Sequence, residues 1–587
     1  MVETQKIDAV DKPEEEAAEN AFLRSNHTKK ERFKNFLKTK KGKITTSIIA
    51  LILIFILLIA IPFTRYGIFG LVIRKEVQII VLDSVTNKPV VDAKVSLGDK
   101  MATTSTNGEA KFSTIPVGKY DLKISKQYYK SSSRGYTVPV LSEPPKIDSA
   151  IIATGRQVEI KVIDKITQNP IKDVVLSVND TTAATNSKGM ANIVLPAGKK
   201  EFKGSIAKKG YNTITVNLIA NPTTQTKNEF SLTVAGSIYY LSKATGVINV
   251  MKANIDGSEA KVIVTGTGQE NDNSTVLLSA RDWKYSALVA RRETDKERLY
   301  LVDSAKDDLS VIDEGNATFR LVGWSGHNFI YVVERTVGNV WENKAQVLKS
   351  FNAETRKITV LDETVGTGTS MYDYQYQLIG QVYILDGEVV YPKSWNFSYN
   401  YNFQPTNRNI EIVSLNPSSA SKKIVKEFPQ PFNTYIDAKL YEPQGVYLRL
   451  LKPDSTKAEY YEYENKALKA VSNASDDKFY GFYATFLVSP SGNRTFWYEP
   501  RDGKNTIFTG DNKGKNGTQI AELSEYTPYG WYGDDDSYVL FSKNGSELYI
   551  APAGRIIGKN GYQPIKVTDY HKPRVSYPGY GYGYGGQ

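Results

Sequence analysis

Cysteine is absent from this chain of 587 residues, and histidine occurs only three times. The lack of cysteine excludes disulfides, thiol catalysis and cysteine-based metal sites. With only His27, His327 and His571 to draw on, neither a Ser-His-Asp triad nor a histidine-rich zinc site is well supplied. We therefore predict no catalytic site, no metal site and no cofactor. A pair of carboxylates for glycoside hydrolysis stays open as an alternative.

Long apolar runs are equally scarce, since only one is long enough to cross a bilayer. It extends over 44–63 and carries no charge, and a helix of about 20 residues spans the roughly 30 Å hydrocarbon core. The residues before it are strongly basic, which keeps them in the cytoplasm. The pattern predicts an uncleaved signal anchor at 44–64 rather than a cleaved signal peptide, whose apolar stretch would be shorter, about 7–15 residues.

This anchor predicts a single-pass protein of the cell membrane. Residues 1–43 form a disordered cytoplasmic tail, because so polar a segment buries too little apolar surface to fold alone, and the body lies outside the cell. Five lysines of the tail are expected to contact the anionic headgroups of the bilayer: Lys34, Lys38, Lys40, Lys41 and Lys43.

The overall charge is only mildly positive for so large a chain. Lysine and arginine number 74 against 63 acidic residues, a formal net charge of +11. Such a balance could favour anionic surface polymers. No basic helix, zinc spacing or RNA-binding aromatic motif is present, so we expect no nucleic-acid partner. Tyrosine, valine, isoleucine and threonine are abundant, which predicts a mainly β fold.

Two copies of one pattern follow the anchor. VQIIVLDSVTNKP (77–89) aligns with VEIKVIDKITQNP (158–170), and both continue through a hairpin signal and a Pro-x-Gly turn. Alternating apolar residues in each copy predict strands with one buried face. The paired Asp83 and Asp164 could be read as calcium ligands, but a residue of this kind at a strand end is more often a turn cap.

These turns resemble those of the carboxypeptidase regulatory-like (transthyretin-like) domain. The resemblance implies two small β-sandwiches in tandem, at 76–152 and 157–233. In that family the domain is usually a spacer, which makes the pair a stalk, and less often a ligand-binding module.

From residue 234 the strand-like segments recur with a period near 40–50 residues, as in propeller blades. SPSGNR (489–494) and the run from Trp531 through DDD (534–536) to the strand 538–541 resemble TolB-type and dipeptidyl-peptidase-type β-propellers. The resemblance implies a propeller of about seven blades at 234–575, with six to eight left open. The three aspartates are interpreted as a hairpin turn rather than a metal site. The Tyr/Gly-rich segment 576–587 is expected to be disordered.

The sequence therefore predicts a non-enzymatic surface protein, in which a stalk of two sandwiches presents a propeller that binds an extracellular protein or polysaccharide. Two alternatives stay open: a glycan- or peptide-processing enzyme or its accessory subunit, and a sensor that signals through the tail. The oligomeric state is left undetermined. Candidate residues of the binding face are Trp324, His327, Trp341, Trp395 and Trp531.

Overall fold

The computed structural model describes residues 31, 34, 38–60, 62–221, 227–336, 344–367, 375–397, 408–453, 455–480, 485–501, 504–522 and 526–571. Strands dominate, as the composition predicts, so the mainly β class is confirmed. By their contacts the described residues form two units. The first comprises 1–162, 171–206 and 215–230; the second comprises 163–170, 207–214 and 231–587.

Helices are few. Among the described residues they are α1 (Lys40–Ala60), α2 (Pro62–Val72) and α3 (Asp476–Tyr480), with one 3-10 turn at Lys559–Gly561. In α1 the apolar side chains from Ile44 to Leu57 that the structure describes are exposed, and so are the five lysines predicted to contact lipid. No helix within the described part of the chain is both long enough and apolar enough to span a bilayer. The membrane anchor accordingly stays a prediction.

The first copy of the repeat contains seven strands. They are β1 (Arg74–Asp83), β2 (Lys94–Leu97), β3 (Lys100–Thr103), β4 (Glu109–Pro116), β5 (Gly118–Ser125), β6 (Ser132–Val138) and β7 (Ile147–Ile151). Strands β4-β1-β7 form one sheet and β3-β2-β5-β6 the other. Both sheets contribute to one apolar core, with Val77, Phe112, Leu122 and Tyr136 at its centre. Alternate residues of β1 are buried, because successive side chains of a strand point to opposite faces.

The second copy repeats this strand order. Its strands are β8 (Arg156–Asp164), β9 (Val175–Val178), β10 (Thr181–Ala184), β11 (Met190–Leu195), β12 (Glu201–Ala207), β13 (Ile214–Ile219) and β14 (Glu229–Leu232). They pair as β11-β8-β14 and as β10-β9-β12-β13. Every strand thus has a counterpart seven places earlier, so the repeat seen in the sequence is also a repeat of topology.

Among the described residues after β14, seven antiparallel sheets follow in chain order. Sheet 1 has three strands, and sheets 2 and 3 have four each: β15 (Ser237–Ser242), β16 (Asn249–Asn254), β17 (Lys261–Val264); β18 (Val276–Ser279), β19 (Tyr285–Ala290), β20 (Arg298–Asp303), β21 (Asp308–Asp313); β22 (Ala317–Ser325), β23 (Asn328–Thr336), β24 (Lys344–Asn352), β25 (Lys357–Glu363). Their strands pair with their neighbours along the chain, which is the arrangement that short hairpins produce.

Sheets 4 to 7 continue this order. Sheet 4 has six strands and the others four: β26 (Gly366–Thr367), β27 (Gln375–Ile379), β28 (Tyr383–Leu385), β29 (Glu388–Phe397), β30 (Asn409–Leu415), β31 (Lys422–Pro429); β32 (Tyr435–Glu442), β33 (Gly445–Leu451), β34 (Glu459–Glu464), β35 (Ala467–Ala470); β36 (Thr485–Val488), β37 (Arg494–Arg501), β38 (Lys504–Asp511), β39 (Thr518–Glu522); β40 (Tyr526–Tyr532), β41 (Tyr538–Lys543), β42 (Glu547–Pro552), β43 (Ile565–Asp569).

Apolar clusters lie between successive sheets. Separate clusters join sheets 2 and 3, sheets 3 and 4, sheets 4 and 5, and sheets 6 and 7. A further cluster brings the last sheet to the first two, since it contains Leu540 of sheet 7, Leu241 of sheet 1 and Leu288 of sheet 2. Each sheet in these pairs buries its apolar faces on its neighbours.

Candidate functional site

The seven-sheet unit contains a cavity on which six of its sheets converge. It has a volume of about 160 Å³ and opens to solvent. Sheets 2 to 7 each contribute residues to its wall, and these residues lie at or near strand ends. They include Leu278, Trp324, Ile384, Leu440, Leu487 and Trp531. We call this the central cavity. Its walls are mainly aliphatic and aromatic side chains.

Indole hydrogen bonds fix the aromatic part of this wall. Trp324 in sheet 3 donates its Nε1–H to the backbone oxygen of Leu278 in sheet 2 at 2.9 Å, and Trp531 in sheet 7 donates to that of Leu487 in sheet 6 at 2.8 Å. Trp283, in the turn after β18, donates to the oxygen of Trp531 at 2.7 Å. Each bond satisfies the indole N–H and joins two sheets, so the rings are held rigidly at the cavity.

The polar content of the central cavity is small. Of the described residues that line it, only Arg281 is charged. The hydroxyl of Tyr383 donates to the backbone oxygen of Ala438 at 2.8 Å. Burial raises the pKa of Tyr383 well above its usual value, so the phenol stays neutral. A ligand in this cavity would therefore meet mostly apolar surface.

Two of the five residues predicted for the binding face line the central cavity. Trp324 and Trp531 are only 6% and 3% exposed, so each offers little surface to a ligand. Trp395 lies in β29 of sheet 4, away from the cavity, where the guanidinium of Arg408 stacks on its ring at 4.1 Å. Trp341 lies outside the described residues.

His327, the remaining candidate, bridges two sheets instead of lining the cavity. Its Nδ1 lies 2.6 Å from Glu354 Oε1 and its Nε2 lies 2.8 Å from Asp282 Oδ2. Burial lowers the pKa of the imidazole, but the hydrogen bonds to both carboxylates outweigh it, so the pKa of His327 is raised. Both carboxylates thus favour the protonated form of the ring, and the imidazole joins the turns of sheets 2 and 3 through these two hydrogen bonds.

The aspartate run after Trp531 forms a turn, as the sequence predicts. Asp536 accepts hydrogen bonds from the hydroxyl of Ser489 at 2.9 Å and from the backbone N–H of Ser491 at 3.2 Å. It therefore joins the turn of sheet 7 to that of sheet 6, while Asp534 and Asp535 are exposed. Within the described part of the chain, no group of three histidine, aspartate or glutamate side chains is placed to hold a metal ion.

Sequence reasoning missed most of the cavity wall. Trp283, Leu440 and Phe486 stand near the first hairpin of their sheets, as Trp324 and Trp531 do, whereas Tyr383 starts the third strand of sheet 4. An apolar residue near the first hairpin of a sheet is the signal that could have found all of these except Tyr383.

Comparison with known proteins gives only distant likenesses. No family model matches the sequence, and no curated protein matches it. Solved structures similar to it include an oligogalacturonate lyase in complex with manganese, at 14% identity over 54% of this chain and 86% of the other, with a TM-score of 0.32. TolB from Acinetobacter baumannii is 13% identical over 54% and 74%, with a TM-score of 0.24.

A third similar structure is the β-propeller domain of the Trilobed protease from Pyrococcus furiosus. It is 12% identical over 64% of this chain and 96% of the other, with a TM-score of 0.30. Values as low as these carry no inference about activity. The proposals for function rest on the cavity and on the sequence.

Proposed function

We propose that this chain is a non-catalytic, membrane-anchored surface protein whose seven sheets form a β-propeller that binds a partner at the central cavity. The observation that carries the proposal is the convergence of six sheets on one apolar cavity. A concave surface to which most of a repeat array contributes is a natural place for recognition, because residues from six of the sheets meet there.

The propeller interpretation is supported by the clusters between sheets. Radial repetition buries the faces of each sheet on its two neighbours. The cluster that brings Leu540 of sheet 7 to Leu241 of sheet 1 is what a closed ring requires. Sheet 1 has three strands and the other sheets at least four, so the ring would have seven blades.

The chemistry of the cavity favours a protein segment as its ligand. A cavity of about 150 Å³ lined by apolar side chains accommodates a group the size of benzene, and the volume here is about 160 Å³. A sugar would need several polar partners, whereas the wall offers tryptophan, leucine and phenylalanine. The proposed partner inserts one aromatic or aliphatic side chain.

Filling the cavity tests this proposal. A Cβ on Gly530 would meet only Trp283 Cζ2, at 3.7 Å, so Gly530→Leu extends a side chain into the cavity without a backbone clash. Gly135→Leu is the matched control, because a Cβ there meets nothing within 4 Å. Full-length variants carrying a photo-crosslinker would be compared on whole cells. A surface protein that is captured by the wild type and by G135L and lost with G530L supports the proposal; equal capture by all three overturns it.

The membrane anchor is proposed from the sequence run 44–63 and the basic residues before it. Because the chain has no cysteine, one introduced cysteine is an unambiguous topology probe. Lys38→Cys and Lys130→Cys place it at exposed positions before and after the run. A membrane-impermeant maleimide should label K130C on intact cells and K38C only after lysis. Labelling of K38C on intact cells, or release of the protein from membranes by salt, would contradict the anchor.

A further inference from the structure

A second cavity lies between the two sandwich repeats, inside the first unit. Its volume is about 370 Å³, which is within the usual range for small-ligand sites. The turn after β1 and the hairpin at Asn107 form one wall, and strand β10 with the hairpin at Asn186 forms the other. We call it the inter-repeat cleft. It differs from the central cavity in the three lysines and the many hydroxyl and amide side chains among its lining residues.

Hydrogen-bond donors and positive charge characterise the lining. Three lysines are present, Lys88, Lys126 and Lys172, together with threonine, serine and asparagine side chains. None of the lining residues is an aspartate or a glutamate. Lys88 is paired with the largely exposed Glu159 at 2.8 Å, and Lys172 lies 3.6 Å from the carboxylate of Asp173. A ligand that matches these lining groups is rich in hydrogen-bond acceptors and negatively charged.

Lys126 is the charge that lies deepest in the wall. Its Nζ donates to Thr182 Oγ1 at 3.2 Å, and the hydroxyl of Thr182 in turn donates to Asp92 Oδ2. Among the described residues, no carboxylate lies within ion-pair distance of this ammonium. Burial lowers the pKa of Lys126, and Asp92 offsets only part of that effect. Asp92 reaches Lys126 only through the hydroxyl of Thr182. An anion bound in the cleft would place a negative charge directly beside the ammonium of Lys126.

We propose that the inter-repeat cleft binds an anionic polymer of sugar or polyol units, with a carboxylate or phosphate oxygen at Lys126. The hydroxyl and amide groups of the lining, such as those of Asn107 and Asn192, suit the hydroxyls of a sugar or polyol. Lysine makes charge-assisted hydrogen bonds to either kind of oxyanion. The site is separate from the central cavity, so the two can fail independently.

The test uses the full-length protein in detergent and three soluble probes of similar length. These are a tri-uronate, a glycerol-phosphate oligomer and maltotriose, with binding measured by calorimetry. We expect the uronate or the phosphate oligomer to bind at least tenfold more tightly than neutral maltotriose. Lys126→Met should weaken that binding about tenfold, as for the loss of one charge-assisted hydrogen bond. Whichever anionic probe binds identifies the oxyanion.

Two variants make the result interpretable. Lys123→Met removes an exposed lysine of β5 outside the cleft and should bind as the wild type does. Lys172→Met removes a charge from the opposite wall, and it provides a second readout if K126M does not fold. Equal binding of the neutral and the anionic probes, binding of none of them, or K126M and K172M that both match K123M would each overturn the proposal. Gly530→Leu, which fills the central cavity, should leave binding of the anionic probes unchanged.

Discussion

The two repeats contain the same turn, yet its apolar residue is exposed in one copy and buried in the other. Asp83–Pro89 and Asp164–Pro170 share the pattern Asp-x-apolar-Thr-x-x-Pro. Val85, the apolar residue of the first turn, is 78% exposed, whereas Ile166 at the same place in the second turn is 0% exposed. The two segments therefore form the same local structure in different surroundings.

The local hydrogen bonds of the two turns are nearly identical. Asp83 Oδ1 accepts the backbone N–H groups two and three residues later at 3.0 and 2.9 Å, and Asp164 Oδ1 does the same at 2.9 and 2.7 Å. Both aspartates are therefore turn caps, the reading that the sequence favoured over calcium binding. In the first turn the other carboxylate oxygen accepts the side-chain N–H of Gln157 at 2.9 Å.

The second turn has a different set of outer partners. It belongs by its contacts to the seven-sheet unit, where Ile166 is part of the apolar cluster that joins sheets 7, 1 and 2. Lys165 forms an ion pair with Asp256 at 2.6 Å, and Arg555 donates to the backbone oxygen of Thr167 at 2.9 Å. Local sequence therefore determines the turn, while contacts with the rest of the chain determine whether its apolar residue is buried or exposed.

Truncating the apolar residue of each turn should give the largest contrast. Ile166→Ala removes fully buried methylene and methyl groups and should cost about 3 kcal/mol of unfolding free energy. Val85→Ala removes exposed groups and should cost less than about 0.5 kcal/mol. Urea unfolding followed by tryptophan fluorescence reports I166A well, because all six tryptophans lie between 283 and 531. Circular dichroism of the whole chain reports V85A. Similar losses for both variants would erase the contrast.

The ion pair of the second turn predicts a pH dependence. Burial raises the pKa of Asp256, but hydrogen bonds from Lys165, Ser258 and Thr233 outweigh it and lower the pKa from 3.8 to about 2. Because the folded-state pKa is the lower one, this carboxylate contributes stability above about pH 4, and the contribution is lost as the pH falls toward 2. The shift corresponds to about 2 kcal/mol.

Unfolding midpoints between pH 2 and 7 measure that contribution. Asp256→Asn should lower the unfolding free energy at pH 7 by about 2 kcal/mol. It should also reduce the loss of stability between pH 4 and pH 2. The exposed Asp99→Asn is the control and should leave the curve unchanged. A D256N protein that loses stability on acidification as steeply as the wild type would show that the ion pair with Lys165 does not form in solution.

The arginine that caps the second turn should have a smaller effect. Arg555 donates to the oxygen of Thr167 and lies 4.6 Å above the ring of Tyr562. Arg555→Met keeps much of the packing of the side chain and removes the charge, so about 1 kcal/mol should be lost. The loss should appear in the urea midpoint of tryptophan fluorescence. An unchanged midpoint would mean that the turn is held by Ile166 and Lys165 alone.

The smallest effect is expected at the first turn. Lys88 and Glu159 form an ion pair whose side chains are 34% and 54% exposed. Exposed pairs contribute little, because water and salt screen them. Lys88→Met should change the unfolding free energy by about 0.5 kcal/mol or less, and the change should vanish in 0.5 M salt. A loss as large as that of D256N would mean that the two turns are not as different as their burial indicates.

The sequence predicts the elements of this fold better than their environment. Asp83, Asp164 and the prolines that end both turns mark strand ends correctly, because turn chemistry depends on residues close together in the chain. Val85 and Ile166 look alike in that pattern, since burial of a turn residue depends on contacts with distant segments such as the strand around Ile238. Local periodicity contains no information on those contacts.

The candidate site shows the same division. Trp324 and Trp531 were predicted as residues of the binding face. They do line the central cavity, but their indole N–H groups are bonded to the neighbouring sheets. His327 was expected on the binding face, and its two carboxylate partners are 27 and 45 positions away in the chain. Such long-range pairings decide which residues face a ligand, and a single sequence does not specify them.

The claim that the central cavity is the binding surface is tested most directly by hydrogen–deuterium exchange of the full chain with and without its captured partner. Binding at the cavity should slow exchange at the first hairpins of sheets 2, 3, 6 and 7, where Leu278, Trp324, Leu487 and Trp531 stand, and leave the outermost strands unchanged. Protection confined to those outermost strands, or to the two sandwich repeats, would contradict the account.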